Sequence, residues 1–226
     1  MKKTINGLLL TLFFAATAPA EFKVLVAGDS TVANNAPKCG WGDFIGVYFK
    51  SGTEVINLAK GGRSTKSFIT EGRWNDLISC VQPGDVVFVQ FGHNDQKINE
   101  EKGTNPETDY KDYLRKYADE VAGKSGRLIF ITPPRRRTYR DDGTIKSDLQ
   151  PYCDAMKAVA AEKNVPVVDL YTMTGEEMQR LGDDGTEFLF DTGDRSHFSK
   201  TGAEWLAKLI MDTVRAEKML PPEFLK

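Results

Sequence analysis

Apolar runs and amphipathic stretches alternate along the chain from residue 22 onward. A short apolar run bounded by turn residues is typical of a strand, and a run that is apolar at nearly every position is typical of a strand covered on both faces. The run "DVVFVQF" is the strongest of these. The pattern predicts five strands, at Phe22–Ala27, Glu54–Leu58, Asp85–Phe91, Arg127–Thr132 and Val165–Leu170.

The stretches between these runs show helical periodicity. Tyr110, Leu114 and Tyr117 recur at a spacing that places them on one side of a helix. Ser199 is a suitable N-cap for the last helix, because a serine hydroxyl can accept from the free N–H groups of a first turn. The predicted helices are Trp41–Phe49, Phe68–Cys80, Asp109–Ala122, Leu149–Lys163 and Ser199–Lys218.

Strands that alternate with helices through the whole chain indicate a parallel sheet covered by helices on both faces. We therefore expect an α/β protein, a three-layer α/β/α sandwich around a central, mainly parallel five-stranded sheet. In such a sheet, binding sites form at the carboxyl ends of the strands. Three polar segments follow predicted strands: "GDST", which contains Ser30, then "GHND" and "PPRRR". The topology alone predicts that they lie at one edge.

The first twenty residues have the pattern of a secretory signal peptide. Two lysines form a positive start, Ile5–Ala16 is mostly apolar, and Ala18 and Ala20 are the small residues that a signal peptidase requires. An N-terminal membrane anchor is the alternative, but the apolar stretch is short for a membrane span. We expect cleavage after Ala20 or Ala18 and an exported protein, periplasmic or extracellular, in which residues 21–226 form one domain without membrane attachment.

The net charge limits the partners that we expect, and the cysteine count limits the disulfides. The formal net charge of −2 offers no electrostatic footprint for nucleic acid, so we expect none as a partner. Cys39, Cys80 and Cys153 are too sparse for a disulfide scaffold, and both free thiols and a single bridge remain open. We expect a monomer.

Ser30 stands where an apolar run ends in a turn. Gly, Asp and Ser are common turn residues, so a plain turn is one explanation. The other is a nucleophile, which would need a base within hydrogen-bond reach, and histidine is the usual base. The chain contains only two histidines, His93 and His197. One of them must serve Ser30 if that residue is a nucleophile.

The two histidines differ in their neighbours. Asp194 precedes His197 by three residues, and a turn of that length can return the carboxylate to the imidazole N–H, where it would fix the tautomer. His93 has no obvious carboxylate in its surroundings except Asp95, so we expect a structural role for it. Its neighbour Asn94 offers an amide donor of the kind that stabilises an oxyanion.

Four short segments come in a recognisable order: "GDST", "GGRST", "GHND" and a C-terminal "DRSH". Each alone is a weak pattern, but together they resemble the four blocks of the SGNH, or GDSL-type, hydrolase family. Within that family the chain resembles the rhamnogalacturonan acetylesterase branch, carbohydrate esterase family 12, which carries "GDST" where lipase-like members carry Gly-Asp-Ser-Leu. The segments "GRSTKSFITEGRW" and "TPPRRRTYRDDGTI" add to the likeness.

The resemblance implies a flavodoxin-like fold and a serine esterase that uses no metal and no organic cofactor. It implies Ser30 as the nucleophile, His197 as general base and acid, and Asp194 as the residue that orients the histidine. The backbone N–H groups of Ser30 and Gly62 and the side chain of Asn94 would form the oxyanion hole. The implied substrate is an acetylated plant cell-wall polysaccharide or oligosaccharide, rhamnogalacturonan in pectin above all, deacetylated through an acyl-enzyme.

Arginines in the loops are candidates for substrate binding. Arginine binds carboxylates bidentately, and galacturonic acid in pectin carries one carboxylate per residue. Arg63, Arg135 and Arg136 are the candidates, although some loop arginines would be solvated surface charges instead. The resemblance gives Asp29 a structural role in the turn that carries the nucleophile.

Other functions would explain part of the pattern. A two-metal phosphoesterase uses Gly-Asp turns and Asn-His pairs, but such sites usually need several histidines. A non-catalytic carbohydrate-binding protein would use Trp41 and Trp74 as stacking platforms, but it leaves the catalytic residue types unexplained. Among the hydrolases, a xylan or small-ester acetylesterase, a lipase and a thioesterase stay open. The last two need apolar clefts for acyl chains, whereas the loops here carry arginines.

Overall fold

A five-stranded sheet forms the centre of the computed structural model, which describes residues 22–33 and 36–226. The strands lie in the order β2-β1-β3-β4-β5, and each neighbouring pair is parallel. The predicted signal peptide lies outside the described residues. The strands are β1 (Lys23–Gly28), β2 (Glu54–Asn57), β3 (Val86–Gln90), β4 (Arg127–Ile131) and β5 (Val167–Val168).

Helices cover both faces of this sheet. The prediction of a three-layer α/β/α sandwich is confirmed, and the strand order is the flavodoxin-like one. One face carries α1 (Thr65–Thr70), α2 (Arg73–Cys80), α3 (Asp109–Gly123) and α4 (Gln150–Lys163). The other carries α5 (Leu170–Thr186), α6 (Lys200–Ala216) and two 3-10 turns, Trp41–Asp43 and Ile45–Tyr48.

The core divides into two clusters because successive strand residues point to opposite faces. In β1, Val24 and Val26 belong to the cluster under α6, whereas Leu25 and Ala27 belong to the cluster under the layer of α1 to α4. All five residues of β3 are buried, because this strand lies between β1 and β4 and has helices above and below it. This burial is the reason why its sequence is apolar at nearly every position.

The ends of β1 and β3 lie side by side and create the edge at which the polar segments emerge. The register pairs Gly28 with Gln90. A Cβ on Gly28 would lie 2.4 Å from Cγ2 of Val32 and 2.9 Å from the carbonyl oxygen of Gln90, so only glycine allows the chain to turn back this closely. Ser30 and His93 therefore leave the sheet at neighbouring points.

Two predicted helices differ from the structure. The segment 41–49 forms 3-10 turns instead of one helix, although Trp41 and Phe49 are buried as expected. It contains two glycines, which disfavour a continuous α-helix. The segment 68–80 belongs to two helices, α1 and α2, which meet at Gly72 with φ +78°.

The last third of the chain also differs from the prediction. β5 comprises only two residues of the predicted strand 165–170, because it is an edge strand that pairs with β4 alone. Helix α5 was not predicted; Asp169 caps its start by accepting from the N–H of Thr172, and Gly182 kinks it near its end. Ser199 caps α6 as expected. No helix in residues 22–33 and 36–226 has both the length and the apolar character of a membrane span.

Candidate active site

Ser30 lies in the turn that follows β1, and its two neighbours fix that turn. A carboxylate oxygen of Asp29 accepts two hydrogen bonds from Thr31, one from the backbone N–H and one from the hydroxyl, both at 2.9 Å. The hydroxyl of Thr31 in turn accepts from Nε2 of Gln90 at 2.7 Å. Ser30 thus lies between two buried residues, and the hydroxyl of Thr31 connects the turn to Gln90 at the end of β3.

His93 lies on the other side of Asp29. Its Nδ1 is 3.3 Å from Oδ2 of Asp29, and its Nε2 is 3.0 Å from the carbonyl oxygen of Pro134. Burial alone would raise the pKa of Asp29, but the contacts with His93 and Thr31 outweigh burial and hold that pKa below its usual value. The carboxylate partner of His93 is therefore a residue 64 positions earlier in the chain, which the local sequence could not reveal.

His197 lies between Ser30 and Asp194. Its Nε2 is 3.0 Å from the Oγ of Ser30, and its Nδ1 is 2.8 Å from Oδ2 of Asp194. The imidazole is 31% exposed, so a solvent-borne substrate can reach it. The structure therefore brings together the three residues that the sequence singled out, in the order nucleophile, base and orienting carboxylate.

Asp194 accepts hydrogen bonds on both carboxylate oxygens. Its Oδ1 accepts from the backbone N–H groups of Ser196 at 2.7 Å and His197 at 3.0 Å. Its Oδ2 accepts from Nζ of Lys38 at 2.6 Å in addition to the contact with the imidazole. Burial acts to raise the pKa of Asp194, but the hydrogen bonds from Lys38 and from the two backbone groups hold it far below the usual range.

Lys38 is a residue of this site that sequence reasoning missed. Its Nζ also lies 3.3 Å from Nδ1 of His197. It is 156 positions away from Asp194 in the chain and belongs to no recognisable motif. The only available signal was its position in the polar loop that follows Ser30.

Each predicted oxyanion donor has an N–H group for which no acceptor lies among the described residues. Nδ2 of Asn94 donates to the carbonyl oxygen of Arg63 at 3.0 Å, and an amide has a second N–H, for which the described residues offer no acceptor. The backbone N–H groups of Ser30 and Gly62 likewise donate to no residue in the described part of the chain. Gly62 has φ +81°, in the left-handed region that glycine enters without strain.

Asp95 connects the loop of Asn94 to the loop of Gly62. Its Oδ1 accepts from the backbone N–H of Thr65 at 3.0 Å, from the hydroxyl of Thr65 at 2.5 Å and from the hydroxyl of Thr104 at 3.0 Å. Its Oδ2 has no partner among the described residues. Burial raises the pKa of Asp95 to about 7, against the opposing effect of the threonine hydrogen bonds.

A cleft of about 170 Å³ opens at the nucleophile. Arg136 in its wall is bonded to Asp148 at 2.6 Å and to the carbonyl oxygen of His93 at 3.1 Å. Lys97 forms no ion pair with any described carboxylate. The described residues that line the cleft are all polar or charged: Ser30, Thr31, His93, Asn94, Lys97, Arg136, Ser196 and His197.

The three arginines predicted to bind substrate lie in different surroundings. Arg136 lines the cleft. Arg63 pairs with Glu71 at 2.9 Å and lines a neighbouring cavity of about 510 Å³ that also borders Gly62. Arg135 does not line either cavity: its guanidinium packs 3.7 Å over the ring of Tyr171. The structure therefore gives Arg135 a packing partner instead of a place beside Ser30.

Trp41 and Trp74 are fully buried, so they are not the exposed stacking platforms that a non-catalytic carbohydrate-binding protein would use. Their indole N–H groups bond to Gln90 and Glu120, which explains how they are accommodated inside.

Across the described residues, no three His, Cys, Asp or Glu side chains are grouped as a metal site. Cys39, Cys80 and Cys153 are free cysteines.

Comparison with known proteins gives consistent results. Rhamnogalacturonan acetylesterase RhgT of Bacillus subtilis (strain 168) is 37% identical over 209 residues, which cover 85% of this chain and 89% of that protein. The probable rhamnogalacturonan acetylesterase YesY of the same organism is 38% identical over 205 residues, 85% of this chain and 92% of that protein. The crystal structure of protein YxiM of B. subtilis has a TM-score of 0.80 at 27% identity, over 88% of this chain and 57% of that one.

The family model covers most of the described residues. The GDSL-like Lipase/Acylhydrolase family matches residues 26–205, a span that includes Ser30, Asn94 and His197. The resemblance inferred from the four sequence segments is thereby confirmed. Since this match spans well over half of the chain, and since two relatives above 30% identity are covered almost completely, the chain belongs to the GDSL-like lipase/acylhydrolase family and is a carboxylic ester hydrolase.

Proposed function

We propose that this chain is a serine acetylesterase that removes acetyl groups from a plant cell-wall polysaccharide, rhamnogalacturonan in particular. The observation that carries the proposal is the line from Ser30 through His197 to Asp194, with contacts of 3.0 and 2.8 Å, at the edge of a small polar cleft. Two relatives named as rhamnogalacturonan acetylesterase, one of them as probable, support the choice of substrate.

The first half of the reaction acylates Ser30. Its Oγ attacks the carbonyl carbon of the acetyl group while Nε2 of His197 takes the hydroxyl proton. The negative charge that develops on the carbonyl oxygen is stabilised by the N–H groups of Ser30, Gly62 and Asn94. The tetrahedral intermediate collapses, the bond to the sugar oxygen breaks, and that oxygen leaves as a hydroxyl with the proton from His197.

The second half releases acetate. A water molecule gives a proton to Nε2 of His197 and attacks the acetyl carbon on Ser30. The second tetrahedral intermediate uses the same donors, and its collapse returns the proton to the Oγ of Ser30. One ester and one water are consumed, and one sugar hydroxyl and one molecule of acetic acid are formed. Asp194 keeps the imidazole oriented and stabilises its charged form throughout.

The size and polarity of the cleft favour an acetyl group over a long acyl chain. A volume of about 170 Å³ is small, and the lining residues that the structure describes include no large apolar side chain. Sites for fatty acyl or other long thioester substrates need an apolar channel, because burial of the chain supplies the binding free energy. A lipase or thioesterase function is therefore disfavoured relative to removal of a short acyl group from a polar sugar.

The cations of the cleft fit an acidic glycan. Lys97 and Arg136 both face the cleft, and Lys97 has no acidic partner in the described part of the chain. A uronate carboxylate next to the acetylated sugar would supply that partner. We therefore expect Lys97→Met to raise KM for acetylated rhamnogalacturonan about 3- to 10-fold while leaving KM for neutral acetylated xylan nearly unchanged. An equal effect on both glycans would contradict this role.

The substrate is tested by acetate release. Acetylated rhamnogalacturonan, acetylated homogalacturonan and acetylated xylan are offered at equal acetyl concentration, with Ser30→Ala as the blank. We expect the highest kcat/KM with rhamnogalacturonan. A higher value with xylan would reassign the polysaccharide, and hydrolysis restricted to long-chain esters would reassign the enzyme as a lipase. A folded protein that releases no acetate from any of the three glycans would refute the proposal.

We also propose that the protein is exported and acts as a monomer. Pectic polysaccharides are found outside cells, and the N-terminal pattern described above fits a cleaved leader. Mass spectrometry of the protein recovered from a secreting host should give an N-terminus at Glu21 or Pro19. Light scattering after gel filtration should give the mass of one chain. Recovery of the full-length chain from the cytoplasm would contradict export.

A further inference from the structure

Lys38 contacts both residues that support the nucleophile. Its Nζ is 2.6 Å from Oδ2 of Asp194 and 3.3 Å from Nδ1 of His197. The two nitrogens thus share one carboxylate oxygen, which is also 2.8 Å from Nδ1. A lysine at this position places a full positive charge beside the pair that must accept a proton during catalysis.

We propose that Lys38 is a positioning residue of the esterase: its ammonium fixes the Asp194 carboxylate beside Nδ1 of His197 and offsets its charge, so that esterase activity extends to lower pH than it would without this cation. The inference rests on the proposed function, because it concerns the base of that reaction. It adds a fourth side chain to the nucleophile Ser30, the base His197 and the orienting carboxylate of Asp194.

The backbone holds Lys38 in place. The N–H of Cys39, the next residue, donates to the carbonyl oxygen of Phe198 at 3.0 Å, and Cys39 and Phe198 form an antiparallel bridge. Lys38 and His197 each immediately precede one residue of this bridged pair, so the bridge keeps their backbones close together. The loop after Ser30 and the loop before α6 meet here, so the contact is built into the fold and does not depend on a long side chain reaching across open solvent.

The carboxylate would be less constrained without Lys38. The two backbone N–H groups of Ser196 and His197 hold only Oδ1 of Asp194. The other oxygen is held by the imidazole and by Lys38, and the Asp194 side chain is 18% exposed, so water could replace a lost ammonium. The rotation that would weaken the contact with Nδ1 is opposed by the ammonium.

The charge of Lys38 opposes the charge of Asp194 beside the imidazole. A cation near a ring nitrogen disfavours a second positive charge on the ring, whereas the Asp194 carboxylate favours it. The charge of Lys38 therefore partly offsets the charge of Asp194 at the imidazole of the substrate-free enzyme. Because the Lys38 side chain is 35% exposed, solvent screens this interaction, and a moderate effect is expected.

Other charged groups also surround His197. Lys97, Arg136 and His93 share the cleft with it. On its own loop, Asp191 and Arg195 both precede it in the chain, and Arg195 is paired with Asp183. Among the described residues, however, only Lys38 and Asp194 bring a charged group within hydrogen-bond distance of the imidazole. The effect of Lys38 can therefore be separated by substitution.

The test is the pH profile of kcat/KM for a small chromogenic acetyl ester, which avoids any role of Lys38 in binding a glycan. Three variants are compared with the wild type: Lys38→Met removes charge and hydrogen bond, Lys38→Gln keeps a donor without charge, and Lys38→Arg keeps the charge. We expect the acid limb to move to higher pH by about half to one unit in the Met and Gln variants. The Arg variant should keep the wild-type limb.

Lys200→Met is the matched control. Lys200 is three residues from His197 in the chain, but its ammonium lies 3.7 Å from Glu204 and its side chain is 72% exposed. Its loss should not move the acid limb. If Lys38→Met does not fold, the acid limbs of the Gln and Arg variants are compared instead, and that comparison decides whether the charge of Lys38 matters.

Two results would overturn the inference: coincident acid limbs for the Gln variant and the wild type, or an equal fall of the plateau in all three Lys38 variants without any shift. A wild-type protein that does not hydrolyse the ester would instead overturn the proposed function itself.

Discussion

The Oγ of Ser30 and the Nε2 of His197 lie 3.0 Å apart, although 167 positions separate the two residues in the chain. Ser30 is placed by the end of β1, and His197 by the loop that precedes α6. The bridges of Phe198 with Cys39 and Phe190 tie that loop to the rest of the sheet edge. The reactive contact therefore depends on the packing of α6 on the sheet, not on a local turn.

Ser30→Ala tests the nucleophile. The only described partner of the Ser30 hydroxyl is the imidazole of His197, so its loss should change the free energy of unfolding by less than about 1 kcal/mol. The turnover rate with an acetyl ester should fall by at least about 10³-fold. A serine-directed phosphonate should label Ser30 in the wild type. Labelling of another residue would show that the nucleophile lies elsewhere.

Substitution of each histidine by alanine distinguishes the catalytic base from the histidine with a structural role. His197→Ala should remove nearly as much activity as Ser30→Ala, and the double variant should be scarcely worse than either single one, because the two residues act as a unit. His93→Ala leaves a carboxylate oxygen of Asp29 and the carbonyl oxygen of Pro134 unpaired in the interior, which should cost about 2–4 kcal/mol of stability.

The measurements for the histidine variants are turnover rates and urea unfolding curves on the same samples. A His93→Ala protein that still folds at the assay temperature should keep much of its activity. An active, folded His197→Ala protein, together with an inactive, folded His93→Ala protein, would reverse the assignment and leave Asp194 without a catalytic role.

Asn94→Ala tests the oxyanion hole. One N–H of the amide is bonded to Arg63, and the second has no acceptor among the residues that the structure describes. The charge that this second N–H would stabilise develops mainly in the transition state. We expect kcat to fall by about 10²–10³-fold with little change in KM. A change confined to KM would indicate that Asn94 binds the ground-state substrate instead.

Asp95→Asn tests the pH dependence of stability. The pKa of the folded Asp95 carboxyl is about 7, raised by burial from the ordinary 3.8, so the folded protein binds more protons than the unfolded chain between those values. Its contribution to stability is complete below about pH 4 and is lost as the pH rises through about 7. Asparagine keeps an oxygen acceptor for Thr65 and Thr104 but cannot ionise.

The measurement for Asp95 is the free energy of unfolding by urea at pH 4 and pH 8. The free energy of unfolding of the wild type minus that of the variant should fall by on the order of 2–4 kcal/mol from pH 4 to pH 8. A difference that stays constant, or rises with pH, would mean that Asp95 is ionised in the folded protein throughout the range.

The sequence predicted most of the elements that carry the site, for identifiable reasons. β1 and β3 are central strands, so their burial on both faces leaves an unbroken apolar signal. β5 and the 3-10 turns after Trp41 carry weaker signals, because an edge strand is short and glycines interrupt the helical pattern. Helix α5 follows its N-cap Asp169, a residue that lies inside the predicted strand 165–170.

The sequence by itself determined the residue types of the chemistry and their order. Gly28 permits the close turn after β1, Asp194 and His197 are near enough in the chain to meet by a local turn, and Asn94 follows the strongest strand. These are short-range constraints of sterics and hydrogen bonding, and they can be read along the chain.

The sequence favoured His197 over His93 as the base, but only the tertiary structure places Nε2 of His197 3.0 Å from the Oγ of Ser30. It also paired His93 with Asp29, placed Lys38 on Asp194, and buried Trp41. Such contacts join residues dozens of positions apart, and they depend on how helices and loops pack onto the sheet. No local pattern records that packing, since a side chain's neighbours in space are set by the whole fold and not by its neighbours in the chain.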